Sequence, residues 1–367
     1  MSREQALGLR MVSLLLRDRR RTADRPVDVA GVVTRLGAMQ AQDLASGLWS
    51  FGARLPGSTV DDVTAALERR EALRTWPMRG TIHFVPSRDA HWMLDLMGPR
   101  ALAGAAKRRA NLGLSEQVAD RAVEVLGAAL AGGGRLTRSQ CTAVLADEGI
   151  AIAGQAAYHL LWYASQRGVL CIAPNIGKEQ SFVLLDEWVP ERHRPDREEA
   201  LATIALRYFR GHGPTTRQDF VGWTGLTVAD AKHGIAAAGD RLSGVTVDGA
   251  EMYADPELLD RAPGAMGRGE VLVLPGFDEY LLGYKDRSLM LADEHRQAII
   301  PGNNGMFQST VVRDGRVVGT WKRTMTRTTV RITVQTLVPL SGADRTRIEQ
   351  EFEEYARFVG RTPQVQW

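Results

Sequence analysis

Apolar positions recur at helical spacing over much of the chain, and the elements they predict come in a repeating order. Residues 115–190 read as helix, helix, helix, hairpin. "SEQVADRAVEVLGAAL" is amphipathic and begins at Ser115, a good N-cap. "TRSQCTAVLADEG" follows, capped by Thr137 and stopped by Gly149. "AGQAAYHLLWYASQRG" is the third helix, and the short strands "VLCIAP" and "SFVLLD" flank the turn-rich "NIGKEQ". The order returns at 197–260: helices in "EEALATIALRYFRGHG", "TTRQDFVGWTG" and "TVADAKHGIAAAG", then "LSGVTVDGAEMYAD", two strands joined by Asp248-Gly249, a favoured two-residue hairpin turn. At the N-terminus, helices at about 5–18, 28–39 and 59–70 precede "LRTWPMRGTIHFVP", where Met78-Arg79-Gly80 makes the turn between two strands.

After residue 265 the period changes from helical to alternating. Strands are expected in "EVLVLP", "QAIIPG", "MFQSTVVRDGRVVGTWKR" and "TTVRITVQTLVPL". In the last of these, Arg327, Thr329, Arg331, Thr333 and Gln335 face one way, and Thr328, Val330, Ile332 and Val334 the other. Asp314-Gly315 marks a second hairpin, and "ADRTRIEQEFEEYARFVG" closes the chain as a helix. The expected fold class is therefore α+β: tandem winged-helix domains followed by a small antiparallel β-sheet or barrel. Expected boundaries are 1–112, 113–192 and 193–264 for three winged helices and 265–367 for the β-rich domain with its C-terminal helix.

Composition narrows the function classes. At 44% hydrophobic and 24% charged residues, the 367-residue chain can bury a sizeable core. Its apolar runs fall short of the roughly 18 residues of a membrane span. The N-terminal apolar stretch runs into Arg17, Arg19, Arg20 and Arg21 without a cleavage site, so it reads as an amphipathic helix and not a signal peptide. Two cysteines, Cys141 and Cys171, exclude a disulfide framework or a cysteine metal cluster, and the default is a reducing cytoplasm. No histidine pair has metal-ligand spacing, so neither metal nor cofactor is expected.

Charge is uneven. The net charge is only +3, yet residues 1–115 carry 18 Lys/Arg against 11 Asp/Glu. Residues 313–331 carry Arg313, Arg316, Lys322, Arg323, Arg327 and Arg331 against Asp314 alone. Such clustering is the footprint of a polyanion partner, or else of ordinary solvated faces. Winged helices present a helix to a DNA groove and a wing to phosphates, which makes Arg79 at the first wing turn a candidate contact. They also serve as protein-interaction modules, so a protein-interaction scaffold remains open.

Four segments in order, "MQAQD" with "LWSFGARL", "RTWPMRGTIHFV", "LPGFDEYLLGYKDRS" and "GMFQSTVVRDGRVVGTWKR", resemble the winged-helix DNA glycosylases of the AlkZ/YcaQ type. The likeness runs nearly the full length of the chain. It implies a bacterial enzyme that excises bulky or cross-linked alkylpurines from double-stranded DNA, in repair or in self-resistance of an antibiotic producer, reaching the lesion across an open surface. The family's Gln-x-Gln motif falls on Gln40, Ala41 and Gln42, which makes Gln40 and Gln42 the candidate catalytic residues. The alternative is a non-enzymatic winged-helix regulator or damage sensor, and the glutamine pair separates the two.

Two neutral amides suit such a reaction. Cleaving an N-glycosidic bond needs a good leaving group and an environment that tolerates an oxocarbenium-like sugar. N7-alkylation makes the purine cationic, so it departs without a strong general acid. What remains is to hold one water, and two amides at i and i+2 can do that through their carbonyl and NH2 groups. Asp43 is expected to cap the helix starting "LASGLW"; supplying negative charge to the sugar is its other reading. No lysine is close to the pair in sequence, so a monofunctional enzyme acting as a monomer and leaving an abasic site is expected. Trp49 and Phe51 have core spacing, with stacking on DNA as the alternative. Asp278, Glu279, Asp286 and Arg287 invite a metal or acid/base reading but are assigned a structural role, with Tyr280, Lys285 and Arg287 as further candidate DNA contacts. Asn303 and Asn304 in the turn "GNNG" are candidates for the minor groove. Arg313 and Arg316, together with Lys322 and Arg323, are assigned to a basic ribbon whose tip at Asp314-Gly315 either enters a groove or stays a solvated hairpin.

Overall fold

A computed structural model describes residues 1–17, 28–150, 153–260 and 269–367. Residue 18, the arginines 19–21 and the expected boundary at 264/265 lie outside the described residues. The chain forms two compact units. One combines residues 1–63, 201–223 and 227–367; the other comprises 64–200 and 224–226.

The second unit holds the expected helices and strand pairs. Helix Glu116–Leu130 starts at Ser115, whose side chain accepts the Val118 N–H. Thr137 and Gln140 form a reciprocal capping box for helix Arg138–Asp147, and helix Ala156–Gln166 follows. The unit's strands are β1 (Ala72–Met78), β2 (Thr81–Pro86), β3 (Leu136–Thr137), β4 (Leu170–Ile176) and β5 (Glu179–Leu184), side by side in the order β2-β1-β4-β5-β3. Arg79 and Gly80 both have positive φ, so the first hairpin turn sits where the sequence placed it. The second hairpin is longer than expected: β4 and β5 run through most of "NIGKEQ" and leave only Gly177 and Lys178 between them. Helix Ala90–Gly104 had no counterpart in the hydrophobic pattern. Its buried residues Ala90, Trp92, Met93, Leu94, Met97 and Gly98 crowd into its first part, and it carries Pro99, so no even helical stripe announces it.

The first unit begins with helix Arg3–Ser13, capped by Ser2 and Gln5. Helix Val29–Leu36 follows and stops at Gly37, whose φ of 81° an ordinary residue would resist. Helices Arg197–His212, Arg217–Thr224 and Val228–Ala238 precede β6 (Ser243–Val247) and β7 (Ala250–Ala254), joined at Asp248-Gly249 as expected. The C-terminal sheet contains β8 (Val271–Leu274), β9 (Ser309–Arg313), β10 (Arg316–Met325), β11 (Thr329–Thr336) and β12 (Thr362–Gln366), ordered as numbered. Alternation in β11 is as read: Val330, Ile332 and Val334 are buried, while Arg331, Thr333 and Gln335 are exposed. Helix Gly342–Phe358 packs on this sheet, with the Trp321 ring 5.4 Å from Phe352 and 5.0 Å from Tyr355.

Two expectations are corrected here. The sheet is mixed, because β12 pairs parallel to β11 after the helix returns the chain. "QAIIPG" is no strand; it forms the short helix Arg296–Ile299 and a 3-10 turn at Pro301–Asn303, consistent with the helix-breaking Pro-Gly that follows its four residues.

A buried ion pair ties the N-terminal helices of this unit to its sheet. The Arg54 guanidinium donates twice to the Asp278 carboxylate, at 2.8 and 2.9 Å, and also to the carbonyls of Leu14 and Ser50. Ser50 Oγ donates to Asp278 at 2.7 Å, and Asp278 accepts the Tyr280 N–H. Removing one partner strands the other charge away from water. Asp278→Ala is expected to cost about 3–5 kcal/mol, read as a lower urea midpoint with unchanged slope.

Candidate functional site

Helix Leu44–Gly52 begins at Asp43, whose carboxylate accepts the Ser46 N–H at 2.7 Å. Gln40-Ala41-Gln42 is therefore the approach to a helix N-terminus. Gln40 closes the extended pair Met39–Gln40 and is 8% exposed; Gln42 is open to solvent.

This approach is held from both ends. Upstream, a Cβ on Gly37 would stand 3.2 Å from Arg207 Cβ, so the chain passes close against helix Arg197–His212. Downstream, the Trp49 indole N–H donates to the Val273 carbonyl at 2.7 Å, and its ring meets Tyr355 edge-on at 5.0 Å. In the middle, the Gln40 backbone N–H donates to Glu279 Oε1 at 3.0 Å. Trp49 and Phe51 are 3% and 0% exposed, so both belong to the core.

Asp43 acts as the cap that the sequence suggested. Its carboxylate also faces Arg323, with Nη2 at 3.4 Å, and Arg323 lies beside the Tyr355 and Trp321 rings. Arg323, a sequence-predicted DNA contact, is thus brought beside the glutamine motif by its ion pair with Asp43. Lys322, its neighbour in β10, is exposed. Asn303, at φ 52°, and Asn304 sit in an exposed turn where Asn304 Oδ1 accepts the Met306 N–H. Arg79 belongs to the other unit; it is exposed and its guanidinium faces His83 Nε2 at 3.3 Å. His83 Nδ1 lies 2.9 Å from the Thr81 carbonyl, so that nitrogen carries the hydrogen and Nε2 accepts from Arg79.

The residues of the acidic segment 278–287 lie in different environments. Tyr280 is 1% exposed and its hydroxyl donates to the Gly315 carbonyl at 2.6 Å, so it is a core residue and no DNA contact. Asp286 accepts the Ser288 N–H, and Arg287 donates to the Leu281 carbonyl and covers Phe307. Lys285 is exposed. Among the described residues no three His, Cys, Asp or Glu side chains are grouped to hold a metal ion.

The hairpin tip at Asp314-Gly315 is held by partners from the rest of its unit. Arg313 Nη1 pairs with Asp344 at 2.9 Å, Asp314 accepts the Gly269 and Glu270 N–H groups, and Gly315 is buried under Tyr280. Only Arg316 is exposed at this turn. The tip has the composition of a free ribbon, but its partners come from 31 to 45 residues away in sequence. The exposed end of the sheet is the opposite one, where β10 and β11 meet around Met325, Thr326 and Arg327.

Sequence reasoning missed the contact between Glu279 and Gln40. The available signal was a pair of adjacent acids inside the apolar stretch "GFDEYLLGY". Glu279 is 1% exposed. A buried acid of this kind must have partners, but nothing in the sequence names Gln40 among them.

The model of the AlkZ-like DNA glycosylase family matches residues 33–358. The chain belongs to that family and is a DNA glycosylase. A curated relative, the interstrand DNA cross-link repair glycosylase of Streptomyces sahachiroi, is 30% identical over 311 residues, covering 79% of this chain and 81% of the relative. The solved structure of the DNA glycosylase AlkZ from the same organism superposes with a TM-score of 0.81 at 26% identity, over the full length of both chains. The α+β fold class holds, and the alternative of a non-enzymatic regulator gives way. No helix among the described residues is long and apolar enough to cross a membrane.

The docked tip has a measurable consequence. Hydrogen bonds from Ser341, and then the Arg313 charge, hold the Asp344 carboxyl below the usual carboxylate range. The stability this provides is fully present above the unfolded value of about 4 and is lost as pH falls through the lower folded value. Arg313→Glu is expected to destabilise by about 1 kcal/mol, because it sets a like charge against the cap of helix Gly342–Phe358. Arg316→Glu should stay within about 0.5 kcal/mol of wild type. Thermal melts between about pH 6 and pH 2 check both, and Asp344→Asn should flatten the acid limb.

Proposed function

We propose that the protein is a monofunctional glycosylase that hydrolyses the N-glycosidic bond of N7-alkylated purines in duplex DNA, bulky and cross-linked adducts included, and leaves an abasic site. Gln40 and Gln42 hold the attacking water. The observation that carries this reading is the graded exposure of the two amides on a backbone pinned at Gln40: one glutamine almost buried, its partner open to solvent. Asp43 is already committed to the Ser46 N–H and to Arg323, which favours amides over a carboxylate as the groups facing the sugar. Such a site favours bases already activated as leaving groups, since it lacks the electrostatic stabilisation that a free carboxylate supplies. The activity named for the Streptomyces sahachiroi relative, repair of interstrand DNA cross-links, supports extension to cross-linked purines.

DNA contacts are assigned to Arg79, Asn303, Asn304, Arg313, Arg316, Lys322 and Arg323, all of which have polar groups in exposed or half-exposed positions. Arg313, half-exposed and paired with Asp344, stays in the set on the same footing as Arg323, which pairs with Asp43. Reading 1–112, 113–192 and 193–264 as three winged helices is supported by the helix-rich order ending in the hairpins β1–β2, β4–β5 and β6–β7.

Gln40→Ala and Gln42→Ala are each expected to remove most excision while leaving affinity for duplex DNA nearly unchanged, because the amides act on the transition state. The assay uses an oligonucleotide carrying N7-methylguanine or an N7-linked interstrand cross-link, followed by alkaline cleavage at abasic sites. Wild-type rates from both variants would remove the catalytic assignment. Affinity should also fall on the order of 10³-fold or more between 50 and 200 mM salt if about 6–10 phosphates are engaged; a flat response in a filter-binding titration would contradict the proposed DNA surface.

A further inference from the structure

The geometry points to Glu279 as a positioning residue for Gln40, one that sets the main chain of the first glutamine and with it the separation of the two amides. This rests on the assignment of Gln40 and Gln42 proposed above.

The carboxylate is 1% exposed, and it collects donors from three other segments. Oε1 accepts the Gln40 N–H at 3.0 Å. Oε2 accepts the Trp223 indole N–H at 2.9 Å and lies 3.3 Å from His212 Nε2. The frame behind it is tight. His212 stacks on Tyr208 with ring centroids 4.6 Å apart, and the Tyr284 hydroxyl donates to the His212 carbonyl at 2.8 Å. At Gly283, one turn after Glu279, a Cβ would fall 2.3 Å from His212 Cδ2, so only glycine lets the short helix Glu279–Leu282 approach the imidazole this closely. His212 Nδ1 faces the Tyr208 carbonyl at 3.1 Å and therefore carries a hydrogen.

A carboxylate is a poor choice for simple packing here. An apolar side chain of similar volume fills such a site at no desolvation cost and is often neutral or stabilising. What an apolar residue cannot do is fix the direction of the Gln40 N–H. A group holding a water must be placed well: a shift of about 1 Å can cost on the order of 10²-fold in rate.

The test compares full-length Glu279→Met, Glu279→Gln and Glu279→Asp with wild type. Three quantities are measured: hydrogen exchange at the Gln40 amide, single-turnover release of N7-methylguanine from a duplex, and affinity for undamaged duplex. Glu279→Met is expected to raise Gln40 exchange and slow release about 10- to 100-fold, with affinity unchanged. Glu279→Gln keeps an acceptor for the Gln40 N–H and should recover most of both. Glu279→Asp keeps the charge but withdraws the acceptor by one methylene. It should slow release at unchanged affinity, and it carries the test if the methionine variant does not fold. Wild-type release from folded Glu279→Met or Glu279→Asp, or unchanged Gln40 exchange in Glu279→Met, overturns the inference. If wild type releases no base, the substrate proposal falls instead, and the exchange measurement alone decides whether Glu279 holds Gln40.

Discussion

A guanidinium and a carboxylate, 0% and 3% exposed at their side chains, hold the first unit together around its glutamines. Arg54 stands just past the helix that follows Gln40-Ala41-Gln42, and Asp278 stands just before Glu279. Two such charges are stable away from water only when each lone pair and hydrogen finds a partner. Here the Arg54 donors reach Asp278 and the carbonyls of Leu14 and Ser50, and Asp278 also takes Ser50 Oγ and the Tyr280 N–H. Satisfying that set fixes the helix Leu44–Gly52 against the start of the helix Glu279–Leu282. With those two elements fixed, Glu279 falls within hydrogen-bond reach of Gln40.

Three acids of this region are engaged: Asp278 by Arg54, Glu279 by Gln40, Trp223 and His212, Asp43 by Ser46 and Arg323. Electrostatic stabilisation by a fixed charge is usually a large part of catalytic power. A site whose carboxylates are committed to architecture leans on the substrate for its driving force. On the function proposed above, that division of labour would suit a base that arrives already cationic.

Local signals were legible in the sequence wherever they depended on neighbours in the chain. Ser115, Thr137 and Asp43 cap the helices they were expected to cap, and Asp248-Gly249 turns its hairpin. The alternation in β11 gave its buried face correctly. What escaped reading depended on distant partners. The parallel strand β12 has no local mark that distinguishes its pairing from an antiparallel one. "QAIIPG" has strand composition over too few residues to overrule its tertiary setting. The Asp314-Gly315 tip looks free in sequence because Asp344, Tyr280 and Glu270, which engage it, lie elsewhere in the chain. For the same reason the glutamine pair was identifiable by resemblance and its support by Glu279 was not.

The separation of Gln40 from Glu279, 239 residues, sets an order on biosynthesis. A ribosome adding about 5–20 residues per second needs roughly 10–50 s to travel from one to the other. Throughout that interval the helices that begin the chain exist without the sheet that anchors them, and long-range contacts of this kind are the slow ones to form. The hydrogen bond from the Gln40 N–H to Glu279 therefore cannot form until residue 279 has been added. An N-terminal fragment, however well its helices form, would lack the arrangement on which the site depends.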